Sequence, residues 1–224
     1  MTSSQHHSQS NAHRIYPGIA TDGLPFIASG IALTGVSALI NPLASVAPLA
    51  LTALVTYFFR DPERPLPTDD RYLYAPADGR VMFIEEIDEP RFIKGPAYRI
   101  AIFLSIFNVH INRSPAAGIV RYREHVPGNF RAAWHKEIEP GNERHHLGIE
   151  TPRGPIMVVQ VAGLLARRIV CRPQLETPLA CGERIGLIKF SSRTDLIFPR
   201  TMAKPIITPE TPVHGGITPI GAYL

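Results

Sequence analysis

Residues 80–106 read RVMFIEEIDEPRFIKGPAYRIAIFLSI, and this stretch decides the fold. Two runs rich in β-branched and aromatic residues, 80–87 and 98–106, flank the segment EPRFIKGP. Such runs favour a pleated, half-buried surface, and a link this short cannot hold a crossover helix, so they are expected to pair antiparallel. GIVRYREHV (118–126), IMVVQVAG (156–163) and RIGLIKF (184–190) share the texture and are set apart by Pro, Gly and Asn clusters. Arg121, Arg123 and Glu124 give the first of these a half-exposed character, whereas IMVVQVAG reads as buried. The chain has 22 Pro and 17 Gly, most of them beyond residue 60, which argues against long helices there. A helical stretch is expected only at 129–136 (NFRAAWHK), with Asn129 as N-cap. The expected fold class is mainly β (α+β), an antiparallel sandwich or barrel-like domain.

Upstream the character differs. Residues 1–15 are polar, rich in Ser, His and Asn, and are expected to be disordered, giving a polar terminus over 1–23. From Leu24 to Phe59 no residue is charged. Asn41-Pro42 divides this stretch into two apolar runs, each shorter than the roughly 20 residues of a straightforward membrane span. A signal peptide does not fit, because no basic region stands close to the start and the apolar region is too long. One bent span, a re-entrant helical hairpin and a buried helical pair all remain open, with an apolar helical membrane-associated segment over 24–59 preferred and the hairpin ahead of the span. Arg60 and Asp61 end the run, and Arg60 and Arg64 are placed to lie among lipid phosphates.

The 224-residue chain fits one domain plus an accessory segment. Lys+Arg 23 against Asp+Glu 19 gives +4, a mild balance that suits an anionic partner such as a lipid surface. No basic run or aromatic-rich basic motif points to nucleic acid. Cys171 and Cys181 alone make neither a disulfide framework nor a zinc site.

Four clusters could carry chemistry. Ala75-Pro76-Ala77-Asp78-Gly79 has the form of a tight turn, which Asp-Gly commonly makes without any function. In FLSIFNVHINRSP (103–115) a strand runs into polar residues, and His110 reads equally as a satisfied core histidine. Asn142-Glu143-Arg144-His145-His146 reads as a solvent-exposed loop and not as a metal site, since adjacent histidines of a strand point apart and no ligand set is complete. Phe190-Ser191-Ser192-Arg193 says little alone.

Together they say more. FFRDPER (58–64), APADGRV (75–81), FLSIFNVHINRSPAAGIV (103–120), GNER (141–144), VAGLLARRIV (161–170) and GERIGLIKFSSRTDLIFP (182–199) resemble, in order and surroundings, the short form of phosphatidylserine decarboxylase. The resemblance covers roughly residues 57–199. It implies a proenzyme that cuts itself between Ser191 and Ser192, giving a β chain of residues 1–191 and an α chain of residues 192–224. Ser192 would become a covalent pyruvoyl group, the pyruvate cofactor of the mature enzyme, which forms a Schiff base with phosphatidylserine and yields phosphatidylethanolamine. By the same resemblance Asp78 and His110 supply the base, so the implied catalytic set is Ser192, His110 and Asp78, with no metal. The family usually has Gly before the cleaved serine, where this chain has Ser191. The implied setting is the cell membrane, held peripherally or by the hairpin, with residues 60–224 as a cytoplasmic catalytic domain. The implied assembly is a heterodimer of its own α and β chains, open to further homo-oligomerisation and with no nucleic-acid partner.

Two other readings are compatible with these residues. One is a serine hydrolase built on Asp78, His110 and Ser192, against which counts the lack of a Gly-x-Ser-x-Gly elbow around Ser192. The other is a membrane-anchored lipid-binding relative in which Ser191 has stopped self-cleavage.

Overall fold

The computed structural model describes residues 18–129, 141–163, 168–189 and 192–224. The expected terminal disorder at 1–15, most of the expected helix at 129–136, and Ser191 itself lie outside the described residues. Two compact units are present, 1–63 and 64–224.

In the first unit, strand β1 (Gly18–Ile19) leads through a 3-10 turn (Thr21–Gly23) into helix α1 (Leu24–Ile40). Pro25 in its first turn costs nothing, because the N–H it lacks would have no helical partner there. Asn41 ends α1 in an extended conformation, and its side chain accepts from Leu43 N at 2.9 Å, capping the 3-10 turn Pro42–Ser45. Helix α2 (Val46–Phe58) follows, then strand β2 (Arg60–Asp61). β1 and β2 pair antiparallel, so the two helices form a hairpin whose ends meet. The turn at Thr21–Gly23 extends α1, and the continuous helical run Thr21–Ile40 reaches 20 residues with mean hydropathy 1.8, long and apolar enough to cross a membrane.

No residue of α1 is buried, and Ile31, Leu33, Val36, Leu39, Leu43, Leu49 and Leu51 are all exposed. Both helices carry apolar residues on every side, and they pack against each other. Their contact is close because Gly30 has no side chain, and a Cβ there would overlap Thr52 Oγ1.

The second unit is mainly β and antiparallel, with a curled half-barrel sheet, as the sequence leads one to expect. Its strands are β3 (Tyr72–Tyr74), β4 (Gly79–Glu89), β5 (Gly95–Leu104), β6 (Ile111–Arg113), β7 (Gly118–Val126), β8 (Arg144–Thr151) and β9 (Gly154–Ala162). They continue with β10 (Ile169–Cys171), β11 (Pro178–Leu179), β12 (Arg184–Ile188), β13 (Ser192–Pro199), β14 (Ala203–Pro205), β15 (Pro212–Val213) and β16 (Pro219–Tyr223). The main sheet has eight strands in the order β11-β7-β8-β9-β13-β5-β4-β15. Two three-stranded sheets, β10-β12-β6 and β14-β16-β3, complete the unit.

The pairing of 80–87 with 98–106 is the β4–β5 hairpin, in register from Arg80↔Phe103 to Glu89↔Gly95. Its turn is tied by Glu89, whose carboxylate accepts from the backbone N–H groups of Arg91, Phe92 and Ile93 at 2.8–2.9 Å. Leu73, Val81, Ile100, Ile102, Leu104, Leu147, Ile149, Ile156, Val158, Leu196 and Phe198 form the main core on one face of the large sheet. A smaller cluster of Ala97, Met157, Val159, Val161 and Ile197 covers the other. With both faces covered, β13 is buried from Ser192 to Phe198.

Two expectations are corrected. Arg144, His145 and His146 are not an exposed loop. They open β8 between β7 and β9 and are 7%, 6% and 4% exposed. Arg64 does not sit among lipid phosphates, because its guanidinium is buried against Asp78. Arg60 stays near the helix end, stacked over the Tyr57 ring at 3.9 Å.

Candidate active site

The site is built where β13 begins. Arg80, Phe103, Arg193 and Val161 lie on one rung across β4, β5, β13 and β9. One step along, Ser192 pairs with Leu104 and Ala162. The start of β13 is held by a two-pronged ion pair in which Arg193 Nε and Nη2 donate to Asp195 Oδ1 and Oδ2, each at 2.8 Å, with Arg193 over the Phe83 ring. Paired this way a buried arginine and aspartate neutralise each other's charge. Strand alternation then turns Ser192 and Thr194 to the opposite face, that of the main core.

Ser192 is fully buried, and among the described residues its Oγ has no hydrogen-bond partner. A buried hydroxyl left so costs about 1–3 kcal/mol, and such atoms mark places where chemistry has been favoured over stability. Ser192 also begins a strand instead of sitting on a sharp strand-to-helix turn, which removes support from the hydrolase reading.

His110 stands at the end of the Ser105–His110 loop. Asn108 organises this loop: its Oδ1 accepts from Ser105 N at 2.9 Å and Ser105 Oγ at 2.7 Å. Its backbone oxygen lies 3.0 Å from His110 Nδ1. A carbonyl can only accept, so Nδ1 carries the proton and Nε2 of the neutral ring is the basic nitrogen. The His110 carbonyl accepts from Ile188 N at 3.4 Å, which sets the histidine beside the end of β12, the strand that precedes β13. Its ring is 2% exposed.

Asp78 lies in the bend between β3 and β4, at the same end of the sheet. Its carboxylate accepts from Arg64 Nη1 and Nη2 at 2.6 and 2.8 Å and from Gly215 N at 2.8 Å, with His214 Nδ1 3.6 Å away. Burial pushes this carboxyl up, but the Arg64 bonds and charge, with Gly215 and His214, outweigh it and hold it below the usual range. His110 is not among its hydrogen-bond partners. Ser192 thus opens β13, His110 is tied by its carbonyl to Ile188 at the end of β12, and Asp78 is committed to Arg64.

A chain of amides supports the same end. Gln160 Nε2 donates to Asn112 Oδ1 at 2.7 Å, and Asn112 Nδ2 donates to Thr194 Oγ1 at 3.1 Å. This links β9 to β13 through β6, which lies over the sheet. Arg113 N, next in β6, donates to Pro76 O at 2.8 Å and fixes the Asp78 bend. Sequence reasoning missed Asn108, Asn112, Gln160 and Arg64. One signal was present: Gln160 inside the run IMVVQVAG has to be bonded if that run is buried.

The family profile described as Phosphatidylserine decarboxylase matches residues 51–221, a span that contains Asp78, His110 and Ser192. The chain belongs to this family. It is an enzyme, a carboxy-lyase of the pyruvoyl-dependent decarboxylase type. A phosphatidylserine decarboxylase proenzyme of Symbiobacterium thermophilum is 47% identical over 206 residues, 92% of this chain and 95% of the relative. The proenzyme of Carboxydothermus hydrogenoformans is 40% identical over 195 residues, covering 87% and 91%. That of Desulfotalea psychrophila is 42% identical over 208 residues, covering 92% and 97%. The decarboxylase family assignment thus rests on most of the chain, hairpin included, and not on the site motifs alone.

Proposed function

We propose that the chain decarboxylates phosphatidylserine to phosphatidylethanolamine after cutting its own backbone between Ser191 and Ser192. The observation that carries this is the fully buried Ser192, whose Oγ has no partner among the described residues; His110, whose Nδ1 is occupied by Asn108 O, is tied through its carbonyl to Ile188 at the end of β12. The proenzyme names of the relatives agree with it.

In this reading His110 Nε2, at the β12–β13 junction, takes the hydroxyl proton as Ser192 Oγ attacks the Ser191 carbonyl, turning the amide into an ester. Removal of the Ser192 α-proton expels the Ser191 carboxylate. The dehydroalanine left on residues 192–224 tautomerises and is hydrolysed to a ketone with release of ammonia. A small side chain at 191 favours the tight approach that the attack requires. Asp78 would assist as the carboxylate of the base; since Asn108 O holds His110 Nδ1, an Asp78–His110 bond requires that nitrogen to leave Asn108. A buried Ser192 whose Oγ has no partner among the described residues fits conversion to a pyruvoyl group, which supplies a carbonyl that takes up the substrate amine and the electron pair released with CO2. His110 then stands where a proton can be returned to the product.

The α1–α2 hairpin supports membrane attachment. Its surface is apolar on all sides, and its ends are joined by the β1–β2 pair, so it enters and leaves a bilayer from one side. Residues 60–224 then form the catalytic domain at that surface.

The test is intact-mass analysis of the purified chain beside an assay of CO2 release. Two fragments are expected, the shorter being 192–224 with a pyruvoyl-blocked start, and Ser192→Ala should abolish cutting and decarboxylation together. An uncut chain in an active preparation overturns the mechanism. An uncut, inactive chain that still binds lipid supports the lipid-binding relative instead.

A further inference from the structure

The face that carries Ser192 also carries a polar rung that self-cleavage does not use. His125, His145, Gln160 and Thr194 are successive register partners across β7, β8, β9 and β13. Register partners project to the same side of a sheet, and Thr194 shares its side with Ser192 two residues earlier. The inner end of the rung therefore adjoins the reactive centre.

Its outer end lines a cleft of about 700 Å³ between β7 and β8 on one side and Arg168 with β10 on the other. The far wall is tied to the cleavage segment, because Ile169 pairs with Ile188 and Lys189 N donates to Arg168 O at 3.2 Å.

The charges in this cleft are unbalanced. Arg123 donates to Gln174 Oε1 at 2.8 Å and to Cys171 O at 3.1 Å, both neutral acceptors. Arg168 is exposed, and among the described residues its guanidinium has no hydrogen bond or ion pair. The one carboxylate in the lining, Glu143, is taken by His125 Nε2 at 3.0 Å. His145, 6% exposed, leaves Nδ1 buried with no partner among the described residues. Two cations with no carboxylate partner among the described residues, beside a buried imidazole nitrogen that bonds to none of them, describe an anion subsite.

Resting on the decarboxylase reading above, we propose that Arg123 and Arg168 bind the phosphodiester of the lipid headgroup, with His145 as the buried wall of that subsite. The serine headgroup offers two anions, and the chemistry selects between them. The carboxylate leaves as neutral CO2, so fixed cations upon it would stabilise the ground state more than the transition state and slow the reaction. The phosphodiester keeps its charge throughout, and holding it contributes binding without that penalty. Two strand spacings, about 10 Å, separate His145 from Thr194, a span that an extended arginine and a headgroup cover between them.

The test uses the full-length chain in detergent. Calorimetry on the uncut Ser192→Ala protein should detect glycerophosphoserine, with free serine failing to compete. Adding Arg168→Gln should weaken that binding about tenfold or more, the loss expected for a charge-assisted bond. In the otherwise wild-type chain Arg168→Gln should leave self-cleavage intact and raise KM for phosphatidylserine by a similar factor, with kcat changed less. Arg123→Gln should do the same; because Arg123 also braces Cys171, Arg168, whose guanidinium bonds to no described residue, decides if that variant fails to fold. Unchanged glycerophosphoserine binding and unchanged KM in Arg168→Gln overturn the subsite. Inorganic phosphate binding that Arg168→Gln removes while KM stays unchanged makes this a free-phosphate site and equally overturns the headgroup assignment. If the parent chain neither cuts nor releases CO2, the decarboxylase reading fails, while binding to the uncut protein still decides what the cleft accepts.

Discussion

Arg64 illustrates how one contact can recast a residue's role. In the sequence it is one of several charges after an apolar run. In the fold its guanidinium and the Asp78 carboxylate are 9% and 6% exposed. Such a pair adds little over an apolar substitute, but removing one partner strands the other charge in a poorly solvated place. Arg64→Met should therefore destabilise the catalytic unit by about 3–5 kcal/mol at pH 7, read from the urea midpoint. The pH dependence has a definite sign. Asp78 titrates lower in the folded chain than in the unfolded one, so its contribution is complete above the unfolded carboxylate value, about 4, and disappears as pH falls through the folded value. The deficit of Arg64→Met should accordingly shrink in acid. A deficit independent of pH would mean that Arg64 acts by packing alone. His145, next to the cleft, titrates in another range: burial first, then Arg123 and the neighbouring histidines, push it down to about 4. It therefore remains neutral across the pH range in which the enzyme would meet lipid.

At the scale of elements, the strands that were legible are those with at least as many apolar as polar residues. GIVRYREHV coincides with β7, and IMVVQVAG with most of β9. β8 was not legible, because RHHLGIET opens on three polar residues that burial between two strands conceals from any hydropathy count. β13 was read for its serine and not as a strand. Arg193 and Asp195 look solvated until their mutual pairing is seen. Ser192, His110 and Asp78 came from resemblance, whereas Asn112 bonded to Gln160 and Thr194 exists only once β6 is laid over the sheet. The hairpin was legible in kind, and its packing lies in one glycine. A Cβ at Gly30 meets Thr52, while Gly35 faces open space with nothing within 4 Å. Gly30→Leu should thus force α1 from α2 and weaken retention on vesicles in a flotation assay, and Gly35→Leu should not. Equal retention of the two variants would show that close contact of the helices is not what holds the hairpin together.

For the molecule as a whole, the consequence of the proposed cut depends on where the new chain end would lie. Ser192 opens β13, which is not an edge strand. It pairs from Ser192↔Leu104 to Pro199↔Ala97 on one side and from Ser192↔Ala162 to Ile197↔Met157 on the other. The rest of 192–224 returns to the body through β14, β15 and β16, the last pairing with β3. Leu196, Phe198, Ala203, Val213 and Ile220 all lie in the main core. On the proposed reading, a cut before Ser192 would separate the chain covalently without opening the sheet, leaving Ser192 seated between β5 and β9. Fragments 1–191 and 192–224 should co-elute in native buffer with detergent and separate only in denaturant. Refolding should then distinguish the two forms of the protein. The uncut Ser192→Ala chain regains β13 in an intramolecular step, so its recovery on removing urea should not depend on concentration. The cut form has to recapture a separate peptide, and its recovery should fall on dilution as mass action requires. A short fragment that dialyses away from the native protein would instead mean that cutting releases β13, and that the sheet does not retain the reactive centre it builds.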